Sequence, residues 1–189
     1  MEQALFTIAR QAYREPREAA VSLLSLGVPS TAVWPAFGVI VLISVLIGGI
    51  SDLFAPPAAG VQVSYFLMCV LLTVVFLSFA VAVWKIGRLF GGNGKFEESL
   101  VVGIFFQAVL LPFQVLQLVL AIAVPGLAGI YAIGLLLYGI WMNVNFIDAL
   151  HGFASFGKSF GVLLLGSFAA AIALLVSVAI FGGSIGGAV

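Results

Sequence analysis

Of the chain's 189 residues, 63% are hydrophobic and only 7% charged, with seven Lys and Arg balancing seven Asp and Glu. Soluble domains carry roughly 25% charged residues, so this composition excludes an ordinary water-soluble fold. The absence of net charge also excludes a basic nucleic-acid groove or an acidic substrate trap, and the lone Cys69 has no partner for an intrachain disulfide.

The N-terminal stretch MEQALFTIARQAYREPREAA is polar and charged, and it lacks the apolar core and cleavage site of a secretory signal. Pro16 after Glu15 suits the first turn of a helix, and Gly27 with Pro29 stops that helix. Residues 16–26 are therefore expected to form a short amphipathic helix lying on the membrane face, its apolar side turned into the headgroup boundary. Ser30 or Thr31 is placed to cap the next helix, which carries Pro35 in its first turn, where proline is tolerated.

A spanning helix needs about 20 mostly apolar residues, and five runs meet that requirement. They cover residues 32–50, about 63–86, 96 to about 123, 125–148, and 159 to about 181. Their connections are a loop at 51–60 containing Pro56-Pro57, the turn Gly91-Gly92-Asn93-Gly94, the break Pro125-Gly126, and a short loop at 151–158. Glu97 and Glu98 fall in the first turn of the third run, where the helix dipole favours acids. The expected fold class is all-α: a polytopic bundle of five transmembrane helices preceded by an interfacial amphipathic helix. Residues 1–29 form the N-terminal segment, 30–182 the membrane domain and 183–189 a Gly-rich tail.

Five spans place the N-terminus, the loop after the second span and the loop after the fourth on one side. All seven basic residues fall there: Arg10, Arg14, Arg17, Lys85, Arg88, Lys95 and Lys158. Loops rich in Lys and Arg stay in the cytoplasm, so the N-terminus is expected inside and the C-terminus outside, with a bacterial inner membrane as the expected location.

No charged residue lies between Glu98 and Asp148, yet the third and fourth spans carry polar side chains. Gln107, Gln114 and Gln117 share one helix face, as do Tyr131, Tyr138, Trp141, Asn145 and Asp148. Folding the two spans antiparallel about Pro125-Gly126 brings Gln107 level with Asn143 and Asn145, and Gln114 level with Tyr138. A polar seam of Gln107, Gln114, Gln117, Tyr138, Asn143 and Asn145 is the expected result, each interhelical hydrogen bond contributing about 0.6 to 2 kcal/mol. Glue between helices is the simpler role for it, and a solute path the sharper one.

Asp148, His151 and Lys158 could form a small proton-responsive cluster, His being the side chain that titrates near neutrality. The plainer expectation is a solvated loop with one helix-terminal carboxylate. Gly91-Gly92-Asn93-Gly94-Lys95 lacks the upstream glycine and the following Ser or Thr of a phosphate loop, Leu89 and Phe96 standing in those places, and it reads as a tight turn. One His and one Cys cannot build a zinc site, and no catalytic triad or carboxylate pair is visible; no enzyme activity and no cofactor are expected. The glycine spacings 157/161, 182/186 and 183/187 permit close helix contact and leave a homo-oligomer open.

Several features together resemble the bacterial branch of the Yip1 family of five-span membrane proteins. They are Pro16-Arg17-Glu18-Ala19-Ala20, Gly91-Gly92-Asn93-Gly94-Lys95-Phe96-Glu97, Gly103 with Pro112, and Trp141 followed by His151-Gly152 and Lys158. The resemblance implies a cytoplasmic N-terminus. Eukaryotic relatives associate with prenylated small GTPases, but this chain lacks their long polar N-terminal region and has Gly103-Ile104 where they have Gly-Tyr, so that role is not carried over. The expected function is a non-enzymatic integral membrane protein that organises or recruits membrane partners in the bilayer. The rival is a small-solute or ion permease whose path follows the third and fourth spans.

Overall fold

The computed structural model describes residues 2–54 and 64–182. These residues form helices joined by turns, with no strand among them, in seven elements: α1 (Glu2–Ala12), α2 (Pro16–Ser25), α3 (Ser30–Phe54), α4 (Tyr65–Leu89), α5 (Phe96–Ala123), α6 (Pro125–His151) and α7 (Phe156–Gly182). The last five are long and apolar enough to cross a membrane, as the composition requires. The loop carrying Pro56-Pro57 and the Gly-rich tail, including the spacings 182/186 and 183/187, lie outside the described residues apart from Gly182 at the end of α7.

Local chemistry sets the helix ends. The Ser64 hydroxyl accepts the Leu67 N–H at 3.2 Å and caps α4. At α5 the Glu98 carboxylate reaches back to the Lys95 N–H at 2.9 Å, an acidic first turn working with the dipole. Pro125 begins α6 without loss of a helical hydrogen bond, because its missing N–H lies in the first turn. Gly152, at φ +66°, ends that helix in the left-handed conformation that glycine adopts freely.

Among the five long helices, α4 packs along α7, α5 along α6, and α3 lies against both α5 and α4. The buried core runs through Val102, Phe105, Val109, Met142, Phe146 and Ile147, and Phe146 meets both Phe105 and Phe106 at ring distances of 5.9 and 6.0 Å. Outward-facing residues such as Leu42, Leu46, Ile133, Leu137 and Leu175 remain exposed, as they must where acyl chains are the solvent.

The N-terminal segment differs from the expectation of a helix floating on the membrane face. It holds two helices, and α1 and α2 pack on each other and on the α5–α6 hairpin. Pro16, Ala19, Ala20 and Leu23 of α2, with Ile8 and Ala12 of α1, are buried in the main core. The cause is size: a stripe of alanines buries little area in lipid but lets another helix approach closely. The small-residue side of α2 is thus turned onto the bundle.

Candidate functional site

The ends of α4 and α6 and the starts of α5 and α7 meet where the basic residues gather, and polar groups there are knitted across elements far apart in sequence. Asp148, three residues before the end of α6, is only 7% exposed. Its Oδ2 accepts from Arg17 Nε at 2.6 Å, and its Oδ1 accepts from the Ser155 N–H at 2.9 Å and the Ser159 hydroxyl at 3.2 Å. One carboxylate therefore ties α2 to α6 and to the start of α7. The bond to Asp148 raises the pKa of the Arg17 guanidinium further. A buried carboxylate with a bonded cation and two further donors is satisfied, and removing the cation would leave it uncompensated.

His151 is 2% exposed. The Gly94 N–H donates to Nδ1 at 3.3 Å, which leaves Nε2 as the protonated nitrogen, 3.2 Å from the Val83 carbonyl. Its ring stacks on Phe153 at 5.1 Å, and its carbonyl accepts the Asn93 N–H at 3.3 Å. Three glycines make room for it. A Cβ on Gly92 would stand 2.5 Å from Nδ1, one on Gly94 2.8 Å from the ring, and one on Gly87 would overlap Nε2 and Cε1. The turn 91–94, legible in the sequence as a tight turn, is therefore also the wall of a histidine socket. Only Gly91 in it needs glycine for its backbone, at φ +88°.

Asp148 and His151 are thus buried, and the expectation of a solvated loop is corrected. The sequence could not show it, because their partners Arg17, Val83 and Gly94 lie 131, 68 and 57 residues away. Lys158 is not bonded to either; its Nζ lies 5.8 Å from the centre of the Phe153 ring.

The amides of the membrane interior arrange differently from the pairing expected of the hairpin. Gln107 Nε2 reaches Ser44 Oγ of α3 at 3.4 Å and Gln114 Oε1 of its own helix at 3.5 Å, and is not bonded to Asn143 or Asn145. Gln117 Nε2 does cross the hairpin, to the Ala128 carbonyl at 3.1 Å, as does Tyr131 OH, to the Phe113 carbonyl at 3.2 Å. Tyr138 OH donates to the Tyr13 carbonyl at 3.0 Å, and Asn145 Nδ2 turns back onto the Trp141 carbonyl at 2.8 Å. The antiparallel register is as the sequence implies, but at equal height small side-chain rotations decide the partner.

Two cavities flank this region. One of about 540 Å³ lies among α3 to α7 and carries Ser44, Gln107 and Asn143 in a mainly apolar wall. The other, of about 430 Å³, lies between α5 and α6 and carries Gln114, Gln117 and Asn143. Phe106 and Asn143 border both. Gln117 Oε1 is buried without a hydrogen-bond partner among the described residues. No group of three or more His, Cys, Asp or Glu able to hold a metal occurs among the described residues.

No curated protein and no solved structure matches the chain. Residues 10–184, nearly its whole length, match the Yip1 domain. With five long apolar helices spanning most of that match, this integral membrane protein belongs to the Yip1 domain family.

Proposed function

We propose that this Yip1-domain protein is a non-enzymatic organiser of membrane partners, of the family's bacterial branch and the inner membrane, with its N-terminus in the cytoplasm and its C-terminus outside. The observation that carries the reading is the clasp at the basic end. Arg17 and Asp148 fix the N-terminal helices to the bundle at 2.6 Å, so the face that carries the N-terminus is built in advance, with Lys85 and Arg88 at the end of α4 and Lys95 just before α5. A preformed face lowers the ordering cost that binding a partner would otherwise meet.

A second reading, a solute permease, draws support from the two cavities that meet at Phe106 and Asn143 and from the unpartnered Gln117 oxygen. Against it, both cavities are walled mainly by apolar side chains, and coupled transporters usually hold charge inside their spans. The experiment is reconstitution in sealed vesicles with Gln107→Leu and Asn143→Leu variants, reading solute flux and thermal stability together. The organiser reading expects flux equal to that of protein-free vesicles for every form. Flux that the variants abolish while stability holds would replace it with the permease.

A further inference from the structure

The turn between α1 and α2 sits deep against the bundle. Tyr13 OH donates to the Val109 carbonyl at 3.4 Å, and the Tyr13 carbonyl accepts from Tyr138 OH. Val109 lies thirteen residues into α5, and Tyr138 thirteen residues before the end of α6. At 1.5 Å per residue the turn is about 20 Å along both helices from their basic ends. These helices, of 28 and 27 residues, are about 40 Å long, against a hydrocarbon core of about 30 Å. Even if all the excess length stood on the basic side, the turn would lie about 10 Å to the acyl side of the boundary between headgroups and acyl chains.

At that level stand two arginines. Arg10 and Arg14 are exposed and four residues apart, and among the described residues neither has a carboxylate within ion-pair distance. Together with Thr7, Gln11 and Tyr13 they line a concavity of about 430 Å³. The nearby acid Glu15 is not part of that lining and accepts from Gln11 Nε2 at 3.1 Å, while Arg17 is taken by Asp148. Beside the arginines Phe6 is 72% exposed, an aromatic ring suited to the acyl boundary. An exposed guanidinium at this depth cannot face bare acyl chains; it extends along its stem to the nearest anion, and guanidinium matches the two oxygens of a phosphate well.

We propose that Arg10 and Arg14 hold the phosphate of an anionic phospholipid of the leaflet on the N-terminal side. The site makes the α1–α2 hairpin a lipid-recognition element, and anionic lipid then secures the hairpin to the membrane at its tip as Arg17 secures it to α6. The preference for anionic over zwitterionic lipid comes from two positive charges that form no ion pair among the described residues, and it weakens with salt.

The test uses the full chain in phosphatidylcholine bilayers with spin-labelled phosphatidylglycerol or spin-labelled phosphatidylcholine as the probe, reading the motionally restricted fraction at the protein surface. Selectivity for phosphatidylglycerol is expected to fall by about fivefold for each arginine replaced in Arg10→Gln and Arg14→Gln, and to stay unchanged in Arg88→Gln. Absence of selectivity in the unmodified chain, or selectivity indifferent to both substitutions, would overturn the proposal. So would loss of the signal on adding millimolar inorganic phosphate at constant ionic strength, since the site would then belong to a soluble anion. Should the double variant fail to fold, Phe6→Trp in the unmodified background supplies the second measurement. Its fluorescence is expected to be quenched by lipids brominated near the top of the acyl chain, and no quenching would place the hairpin away from the membrane and overturn the site.

Discussion

Two polar regions of this molecule share α6 and are built to different standards. At the basic end Asp148 accepts three hydrogen bonds of 2.6 to 3.2 Å from α2 and the start of α7, and His151 has both ring nitrogens engaged inside a socket of glycines. In the interior Gln107 makes contacts of 3.4 and 3.5 Å, Asn145 bonds its own helix, and Gln117 leaves an oxygen unpartnered among the described residues. The difference follows from what each group loses if unpaired. A buried carboxylate without a cation costs several kcal/mol, so its surroundings are fixed tightly, whereas a neutral amide in a membrane bundle finds alternative partners and contributes about 0.6 kcal/mol on average.

Substitutions at the two regions should therefore separate by size. The largest loss is expected at Gly87→Val, whose branched side chain would occupy the space of the His151 ring; we expect destabilisation above about 3 kcal/mol, or no folded protein, on thermal or SDS unfolding in micelles. Tolerance of valine there would show that the socket is slack and would undo the contrast. Next, His151→Ala empties that socket and strands the Gly94 N–H and Val83 carbonyl, at a cost of about 3 kcal/mol by the same assay. Ser159→Ala, which removes one of three donors to Asp148, should cost about 1 kcal/mol. Smallest of all, Gln107→Leu and Gln114→Leu are expected to change stability by less than about 1 kcal/mol. Equal losses at Gln107 and His151 would break the comparison outright.

The same contrast explains what was readable in the chain. Runs of apolar residues, the one-sided placement of Lys and Arg, and Pro and Gly at the turns were enough for the five long helices and their order. Helical spacing put Gln117 in the seam expected of the α5–α6 hairpin, which it does bond across, whereas Tyr131, which also bonds across it, was not among the expected seam residues. Nothing local marks Asp148 or His151 as buried, since the groups that bury them come from α2, the end of α4 and the turn before α5. The docking of α2 was hidden for another reason: Ala19, Ala20 and Leu23 give the same periodic pattern whether the apolar face meets lipid or another helix. The signal that could have found it is the smallness of that face.

The central claim is that Arg17 and Asp148 act as one unit holding the N-terminal helices to the bundle, and a double-mutant cycle tests it most directly. Unfolding free energies are measured for Arg17→Ala, Asp148→Ala and both together. With the Arg17 side chain 43% exposed and Asp148 retaining its two serine donors, we expect Arg17→Ala alone to cost about 2 kcal/mol. The double variant should lose at least about 1 kcal/mol less than the two single losses added together. Strict additivity, or no loss at Arg17→Ala, would contradict the claim.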